Sequence, residues 1–333
     1  MRGLLLSLLL VGLLSACAGG RQGPPEWLRG EPAAYPGERY LIGRGQGPGL
    51  ELAQDRARAE LAKAFRVRIQ ADSRDLTRYR SEQGGGELQR HLERSVAREV
   101  RTFTDQVVEG VEIVDVWHDR RRDLFYALAV LERKPAAQRL RRALQQLDRR
   151  VEIALEHARS ADPLARVRAW YAAQKALLTR SGLASALGVV TARRPPTPSL
   201  EAGAVQQGLM TALAELRLAV SADPAMLQGA AGDALTALGV SRGAGGYRLR
   251  ITLEVTPVGH QSGWYWVRAL LGLTLEDARG RVQAERRVPL KAAALDADQA
   301  EARLRTQAAS EVRRVVAGMI LGEGRLPGEA VDR

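Results

Sequence analysis

The stretch that decides the fold of the first half is residues 107–131, VVEGVEIVDVWHDRRRDLFYALAVL. Two runs rich in valine, isoleucine and aromatic residues flank the polar turn His118–Asp123. β-Branched and aromatic residues favour strands, and a short polar turn joins antiparallel neighbours. The segment therefore predicts an antiparallel hairpin with strands Val107–Trp117 and Leu124–Leu131.

Upstream of this hairpin, strand and helix patterns alternate. The glycine cluster Gly43–Gly49 lacks the spacing of phosphate-binding loops, so we expect a turn with positive φ angles before a helix. Residues 72–98 are polar and predict a strand extension, a loop and a helical stretch near Leu88–Val96. The regular elements predicted before them are a strand at Tyr40–Gly43, a helix at Leu50–Phe65 and a strand beginning at Val67 with Ile69 and Ala71 on one face.

Downstream of the hairpin, Ala136–Leu183 has helical periodicity throughout. The break at Ser160–Pro163 supplies Ser160 or Asp162 as the cap of a second helix. Ala192–Ser199 contains three prolines and predicts a linker. The chain therefore predicts a helical hairpin that ends at a domain boundary.

The second half predicts a second α+β domain. In Leu249–Val255 the apolar and polar residues alternate, so we expect Leu249, Ile251, Leu253 and Val255 to face the core. The predicted elements are helices at 199–213, Pro224–Leu238 and Asp298–Leu321, and strands at Leu216–Val220, Tyr247–Val258, Trp264–Leu275 and Arg281–Leu290.

The only cysteine, Cys17, follows a short apolar run that ends in Leu14-Ser15-Ala16. That run is too short to cross a bilayer as a helix. Small residues beside a cleavable bond and a thiol that accepts a diacylglyceryl group are typical of a bacterial lipobox. We therefore expect Cys17 to be acylated. Ala18 rather than Asp follows, which favours the outer membrane under the sorting rule of Gram-negative lipoproteins.

The formal net charge of +12 raises the question of anionic partners. Only four of the fifty basic residues are lysine, which indicates an arginine-rich coding bias. Export also separates the chain from nucleic acid, so we predict no nucleic-acid partner. Anionic lipid and the carboxylates of peptidoglycan stay open as partners. A single cysteine excludes an internal disulfide.

Several of these segments resemble the LPP-twenty-like family of bacterial lipoproteins. The resemblance covers residues of about 26–134 and rests on Trp27, Tyr40–Gly47, Ala53–Phe65, Val111–Trp117 and Phe125–Leu131. It implies an α+β envelope lipoprotein, in several members associated with flagellar basal structures, and no enzymatic activity. The second half resembles, in outline alone, the α+β units of periplasmic lipoproteins that activate wall synthases or build envelope channels.

Together these patterns predict an α+β chain of two small α/β-sandwich-like domains, with antiparallel or mixed sheets and packed helices, joined by a long helical hairpin. The predicted segments are a lipoprotein signal peptide (1–16), a flexible tether (17–25), the LPP-twenty-like domain (26–134), the helical hairpin (135–190), a Pro-rich linker (191–199), the second α+β domain (200–322) and a disordered tail (323–333).

Beyond Cys17, the sequence offers one candidate contact site. Trp264 and Trp266 share one face of a predicted strand, while Tyr265 points to the other. Indole rings anchor interfaces and stack on sugars, so these two residues are candidates for a protein or glycan contact, with core packing as the alternative. The four histidines, His91, His118, His157 and His260, have no metal-ligand spacing.

We expect neither a catalytic set, a metal nor a cofactor, and hence no enzyme. The predicted function is a lipid-anchored periplasmic lipoprotein of the outer membrane that acts as a structural or assembly factor through contacts with envelope proteins. The alternative is a regulatory lipoprotein that activates a peptidoglycan synthase or another envelope enzyme.

Overall fold

The computed structural model describes residues 23–63, 86–108, 110–193, 202–261 and 263–323. Helices and two β-sheets make up these residues, which confirms the α+β class. They form two compact units. The first unit comprises 23–63, 104–139 and 189–192, and the second comprises 86–103, 140–188, 193 and 202–323, apart from residues 109 and 262. None of the described helices is long and apolar enough to cross a membrane.

The first unit contains a three-stranded antiparallel sheet in which β3 lies between β1 and β2. The predicted hairpin is confirmed, since β2 and β3 pair directly. Residues 127–131 of β3 are all buried, as expected for the central strand of a sheet covered on both faces. The strands are β1 (Tyr40–Gly47), β2 (Glu112–Asp119) and β3 (Leu124–Glu132), and a 3-10 turn precedes them at Glu26–Leu28.

The glycines of β1 pack against helix α1, residues 50–63. A Cβ on Gly43 would lie 2.3 Å from the carbonyl oxygen of Ala57, and one on Gly45 would lie 2.1 Å from that of Ala53. The prediction of a positive-φ turn at Gly43–Gly49 was therefore wrong, since Gly43–Gly47 are extended strand and none of the glycines at 43, 45, 47 and 49 has a positive φ. Glycine is needed there because helix and strand backbones come close.

One strand boundary also differs from the prediction. Helix α2 (Glu87–Val108) continues through Val107 and Val108, and β2 begins only at Glu112. The strand preference of valine is weak and is overridden where a helix can continue. The helix predicted near Leu88–Val96 is thus confirmed and longer. Residues 64–85, which contain the strand predicted from Val67, lie outside the described part of the chain.

The other face of the first sheet is covered by the N-terminal segment. Trp27 packs with Leu128 and Val130, and only 4% of its surface is exposed. Its Nε1 donates a hydrogen bond to Oδ2 of Asp115 at 2.7 Å. Nε of Arg44 donates to the carbonyl oxygen of Trp27 at 2.6 Å. The chain is therefore fixed to the sheet from Trp27 onward.

Two long helices follow β3, namely α3 (Arg133–His157) and α4 (Pro163–Thr191). The predicted break between them is confirmed. Oδ1 of Asp162 accepts the amide of Ala165 at 2.8 Å, which satisfies one of the free N–H groups at the start of α4. Leu164 and Val167 of α4 lie in the core of the second unit.

The second unit contains a five-stranded mixed sheet in the order β5–β4–β6–β7–β8. β4 runs parallel to β5 and β6, and β6, β7 and β8 form an antiparallel meander. Every element predicted for this half is present. The bounds are α5 (Ala202–Glu215), β4 (Arg217–Asp223), α6 (Met226–Leu238), β5 (Ser241–Arg242), β6 (Tyr247–Gln261), β7 (Trp264–Asp277), β8 (Val282–Ala294) and α7 (Ala297–Leu321).

The β6–β7 hairpin extends beyond the apolar core. Leu249 and Ile251 are buried and Leu253 packs against the core at partial exposure, but Val255 is 41% exposed. The expectation that Val255 faces the core was therefore wrong. Strict alternation predicts which face a residue takes, but not how far along the strand the covering helices reach.

Candidate functional site

The end of α7 brings Glu323 to the helices of the second unit. Gly322 takes a left-handed conformation, with φ of 77°, and ends the helix. Nη2 of Arg168 donates to the carbonyl oxygen of Met319 at 3.0 Å, which satisfies a carbonyl that the helix end leaves free. The amide of Glu323 donates to the carbonyl oxygen of Gly318 at 2.8 Å. These contacts fix the backbone that carries the Glu323 side chain.

Four polar groups from α2 and α4 converge on the Glu323 carboxylate. Nε2 of His91 lies 2.6 Å from Oε2, and the hydroxyl of Tyr171 donates to Oε1 at 2.6 Å. The Ser95 hydroxyl donates to Oε1 as well, and Nζ of Lys175 lies 3.6 Å from it. His91 and Ser95 are four residues apart on α2, as are Tyr171 and Lys175 on α4, so each pair shares one helix face. We call these five residues the Glu323 cluster.

The cluster keeps the carboxylate ionised. Burial on its own would raise the pKa of Glu323, but hydrogen bonds from His91, Ser95 and Tyr171, together with the charge of His91, lower it to about 2. Burial and the adjacent carboxylate raise the pKa of the Tyr171 phenol. The lowered pKa keeps Glu323 ionised as an acceptor, and the raised pKa keeps Tyr171 protonated as a donor.

Glu99 of α2 holds the other side of this cluster. Nη1 of Arg150 lies 2.7 Å from its Oε1, and Nζ of Lys175 lies 3.8 Å from its Oε2. Lys175 therefore bridges Glu99 and Glu323. A cavity of about 590 Å³ adjoins both carboxylates and is also lined by Arg98, Arg286 and Arg314.

Serine, histidine and glutamate together raise the question of hydrolytic chemistry. A nucleophilic serine donates its proton to a histidine that acts as base. Ser95 has one proton to donate, and it donates it to the carboxylate of Glu323, which is a weak base with a pKa of about 2. The arrangement therefore suits the binding of a carboxylate, and here it fastens the chain that follows α7.

The structure locates the residues singled out in the sequence as follows. Cys17 lies outside the described residues. Trp264 is 43% exposed at the start of β7, and Trp266 is half-buried with Nζ of Lys291 4.0 Å from its ring centroid. Tyr265 packs against the core of the second unit. Within the described residues, no group of three or more His, Cys, Asp or Glu side chains could hold a metal ion.

The polar residues around the first hairpin act in turn and packing roles. Oδ1 of Asp119 accepts the amides of Arg121 and Arg122, at 3.0 and 3.3 Å. Nε2 of His118 lies 3.0 Å from Oδ1 of Asp123, which has a positive φ of 53°. These are the contacts expected of a polar turn.

Sequence reasoning missed the Glu323 cluster. Glu323 was predicted as the first residue of a disordered tail, whereas its carboxylate makes the contacts above. The signal available in the sequence was limited to two pairs of polar residues at helical spacing, His91 with Ser95 and Tyr171 with Lys175. Such pairs also occur on solvated helix faces.

Three solved structures are similar to parts of this chain. A minor lipoprotein from Acinetobacter baumannii shares 20% identity, with 32% of this chain and 90% of that chain covered and a TM-score of 0.27. A putative lipoprotein from Caulobacter crescentus CB15 shares 16% identity over 36% of this chain and 99% of that chain, also with a TM-score of 0.27. A secreted protein of Helicobacter pylori shares 12% identity, with 85% of this chain and 98% of that chain covered and a TM-score of 0.41.

Comparison with known families gives a direct result for the first domain. No curated protein matches the chain. Residues 25–132 match the family model described as LPP20 lipoprotein. These residues include Trp27 and the whole of the first sheet. The resemblance to the LPP20 lipoprotein family is therefore confirmed over residues 25–132, and it supports a lipoprotein.

Proposed function

We propose that the chain is a lipid-anchored lipoprotein of the bacterial envelope that acts as a structural or assembly factor through contacts with envelope proteins. The observation that carries this proposal is the match of residues 25–132 to a lipoprotein family, directly after a lipobox-like segment that ends at Cys17. The finer placement, in the outer membrane facing the periplasm, rests on Ala18 after the lipidated cysteine.

The geometry of the first unit fits this role. Trp27 is buried in the sheet a few residues after Cys17, so an acyl group on Cys17 would hold a folded surface near the membrane. A fully extended chain of ten residues reaches about 35 Å. Trp27, where the first unit begins, would therefore lie within about that distance of the bilayer.

The polar chemistry of the second unit supports a role other than catalysis. The hydroxyl, phenol and imidazole of the Glu323 cluster are all engaged by one internal carboxylate. A carboxylate with a pKa of about 2 is poorly suited to take protons near neutral pH. The alternative of a regulatory lipoprotein that activates a peptidoglycan synthase is consistent with the same features and is separated by identifying the partner.

Replacing Cys17 by alanine should release the chain from membranes that are washed with high salt, which screens contacts made by exposed charges alone. The substitution removes the thiol that would accept the diacylglyceryl group, and two or more acyl chains are needed for stable anchoring. The measurement is detergent-free fractionation of cells that express the wild type or Cys17→Ala, with Ser15→Ala as a control that keeps the thiol. Acyl labelling with a fatty-acid analogue should mark the wild type and the control alone. Labelling of Cys17→Ala would contradict the anchor.

Photocrosslinking in cells should trap an envelope protein on the first unit. Val116 on β2 and Leu52 on α1 are 44% and 40% exposed, so a photoreactive amino acid at either position can reach a partner without disturbing the core. Ile153, which is 54% exposed on α3 in the second unit, serves as the control position. A structural envelope component trapped from the first unit supports the proposal. A wall synthase trapped there would overturn it in favour of the regulatory alternative.

A further inference from the structure

The outer face of the second sheet carries an aromatic and cationic surface at the end where the β6–β7 hairpin projects. Tyr265, Val267 and Ala269 of β7 point to the core, so Trp264, Trp266 and Arg268 take the opposite face. Lys291 of β8 pairs directly with Arg268 and shares that face. We call Trp264, Trp266, Arg268 and Lys291 the Trp–Arg face.

The pairing of Arg268 with Lys291 is unusual for a sheet. Like charges directly opposite each other on neighbouring strands destabilise the pairing. Within the described residues, neither Arg268 nor Lys291 forms an ion pair. By contrast, Arg287, on the same strand as Lys291, pairs with Glu285 at 2.9 Å. The acid closest in register, Glu254, lies opposite Leu270. Two exposed cations without a carboxylate therefore stand beside two indoles.

Trp266 and Lys291 contact each other, and large apolar side chains beside them are exposed. Nζ of Lys291 lies 4.0 Å from the centroid of the Trp266 ring, so a cation–π contact holds the ammonium group over the indole. Trp264 is 43% exposed and Leu270, further along the same face, is 37% exposed. Exposed large apolar side chains cost solvation free energy unless a partner covers them.

We propose that the Trp–Arg face binds the anionic headgroups of a phospholipid bilayer. Indoles favour the boundary between headgroups and acyl chains, and each arginine or lysine near an anionic bilayer is attracted by its surface potential. The net charge of +12 adds a long-range attraction between the whole protein and an anionic bilayer. This contact goes beyond the proposed function, because it gives the second unit a membrane contact that does not depend on the acyl group at Cys17.

Flotation with vesicles tests the proposal on residues 17–333 carrying Cys17→Ser, which cannot be acylated. The chain should float with vesicles of phosphatidylcholine that contain one third phosphatidylglycerol, and not with phosphatidylcholine alone. Raising the salt concentration should weaken binding, since exposed charges are screened. The combined substitution Arg268→Gln and Lys291→Gln should reduce binding about twenty-five-fold, at about fivefold for each cation.

Three further variants sharpen the test. Glu254→Gln removes the carboxylate closest to the face in strand register and should strengthen binding. Trp264→Ala should weaken binding to anionic vesicles. Arg279→Gln removes the same charge as Arg268→Gln, but from the turn after β7 at the opposite end of that strand, and should leave binding nearly unchanged.

Three outcomes would overturn the proposal. One is equal flotation with neutral and anionic vesicles, and another is undiminished binding by the double variant when circular dichroism shows that it is folded. The third is the absence of vesicle binding together with sedimentation on purified peptidoglycan, if the double variant no longer sediments. That result would show that the face binds the wall instead. Phosphatidylglycerol headgroup added without vesicles should compete poorly, because a bilayer offers many charges at once.

Discussion

Replacing Trp27 by alanine should destabilise the first unit by about 4 kcal/mol, the typical cost of deleting a buried aromatic side chain. Trp27 is 4% exposed and packs with Leu128 and Val130 of the central strand. The substitution leaves a cavity there and removes the hydrogen bond from Nε1 to Asp115. Hydrogen exchange of amides in β3 should speed up by two to three orders of magnitude, while amides of β6 in the second unit should be unaffected.

Trp264→Ala is the matched control, because it deletes the same side chain at a site that is 43% exposed. We expect it to change the hydrogen-exchange protection of β3 amides by less than tenfold, which corresponds to less than about 1.4 kcal/mol. Trp27→Phe should fall between the two, since it keeps most of the ring and loses the donor to Asp115. Protection of β3 that is equal in Trp27→Ala and Trp264→Ala would show that the N-terminal segment does not stabilise the sheet.

This result bears on function as well as stability. If Cys17 is acylated as proposed, release of Trp27 lengthens the chain between Cys17 and the first sheet, so that the sheet is no longer held close to the membrane. Partner crosslinks from Val116 and Leu52 should then weaken even in molecules that remain acylated. Loss of crosslinks without loss of membrane association would separate positioning from anchoring.

The sequence was most informative where the residue pattern of the strands and the residue types of the turns between them predict the same structure. The hairpin β2–β3 combines β-branched and aromatic runs with a polar turn, and the meander β6–β7–β8 combines two-residue alternation with glycine-containing turns. The cap of α4 was predictable as Ser160 or Asp162, since short polar side chains before a proline-led helix favour that role, and the structure selects Asp162. These features depend on neighbours close in sequence.

The errors arose where distant segments decide the conformation. The glycines at 43, 45 and 47 are extended because α1 packs on them, and glycine alone cannot tell a close contact from a turn. Val107 and Val108 form the last residues of α2 in spite of the strand preference of valine. The sequence also did not indicate that α4, part of the predicted helical hairpin, contributes Leu164, Val167 and Tyr171 to the core of the second unit.

The Glu323 cluster is the clearest case of a site that sequence could not supply. Its members come from α2, α4 and the second residue after the end of α7, and Glu323 is 152 positions from Tyr171 and 228 positions from Ser95. Each residue alone is ordinary for a helix surface or a chain end. Only the fold brings donors and carboxylate together in a place where burial makes an unpaired charge costly.

Replacing Glu323 by glutamine should lower the free energy of unfolding of the second unit by about 3 kcal/mol at neutral pH, on the scale of 1.4 kcal/mol per pKa unit. The carboxylate is 23% exposed, so solvent screening makes this figure an upper value. The fold lowers the pKa of Glu323 from its usual 4.5 to about 2. Its stabilising effect is therefore fully present above pH 4.5 and is lost as the pH falls towards 2. Glutamine mimics the protonated acid and cannot gain or lose this effect.

The measurement is urea unfolding at a series of pH values. Hydrogen exchange of β7 peptides reports the unfolding of the second unit. The difference between the wild type and Glu323→Gln should shrink steadily from pH 5 to pH 2, whatever other carboxylates contribute to both proteins. Glu285→Gln is the control, since that acid pairs with Arg287 on the surface and such pairs contribute less than about 1 kcal/mol. Tyr171→Phe should reduce the Glu323→Gln effect when the two are combined, because the two side chains share one hydrogen bond. A pH-independent difference would mean that Glu323 acts by packing rather than by charge, and the cluster would then not be a carboxylate site.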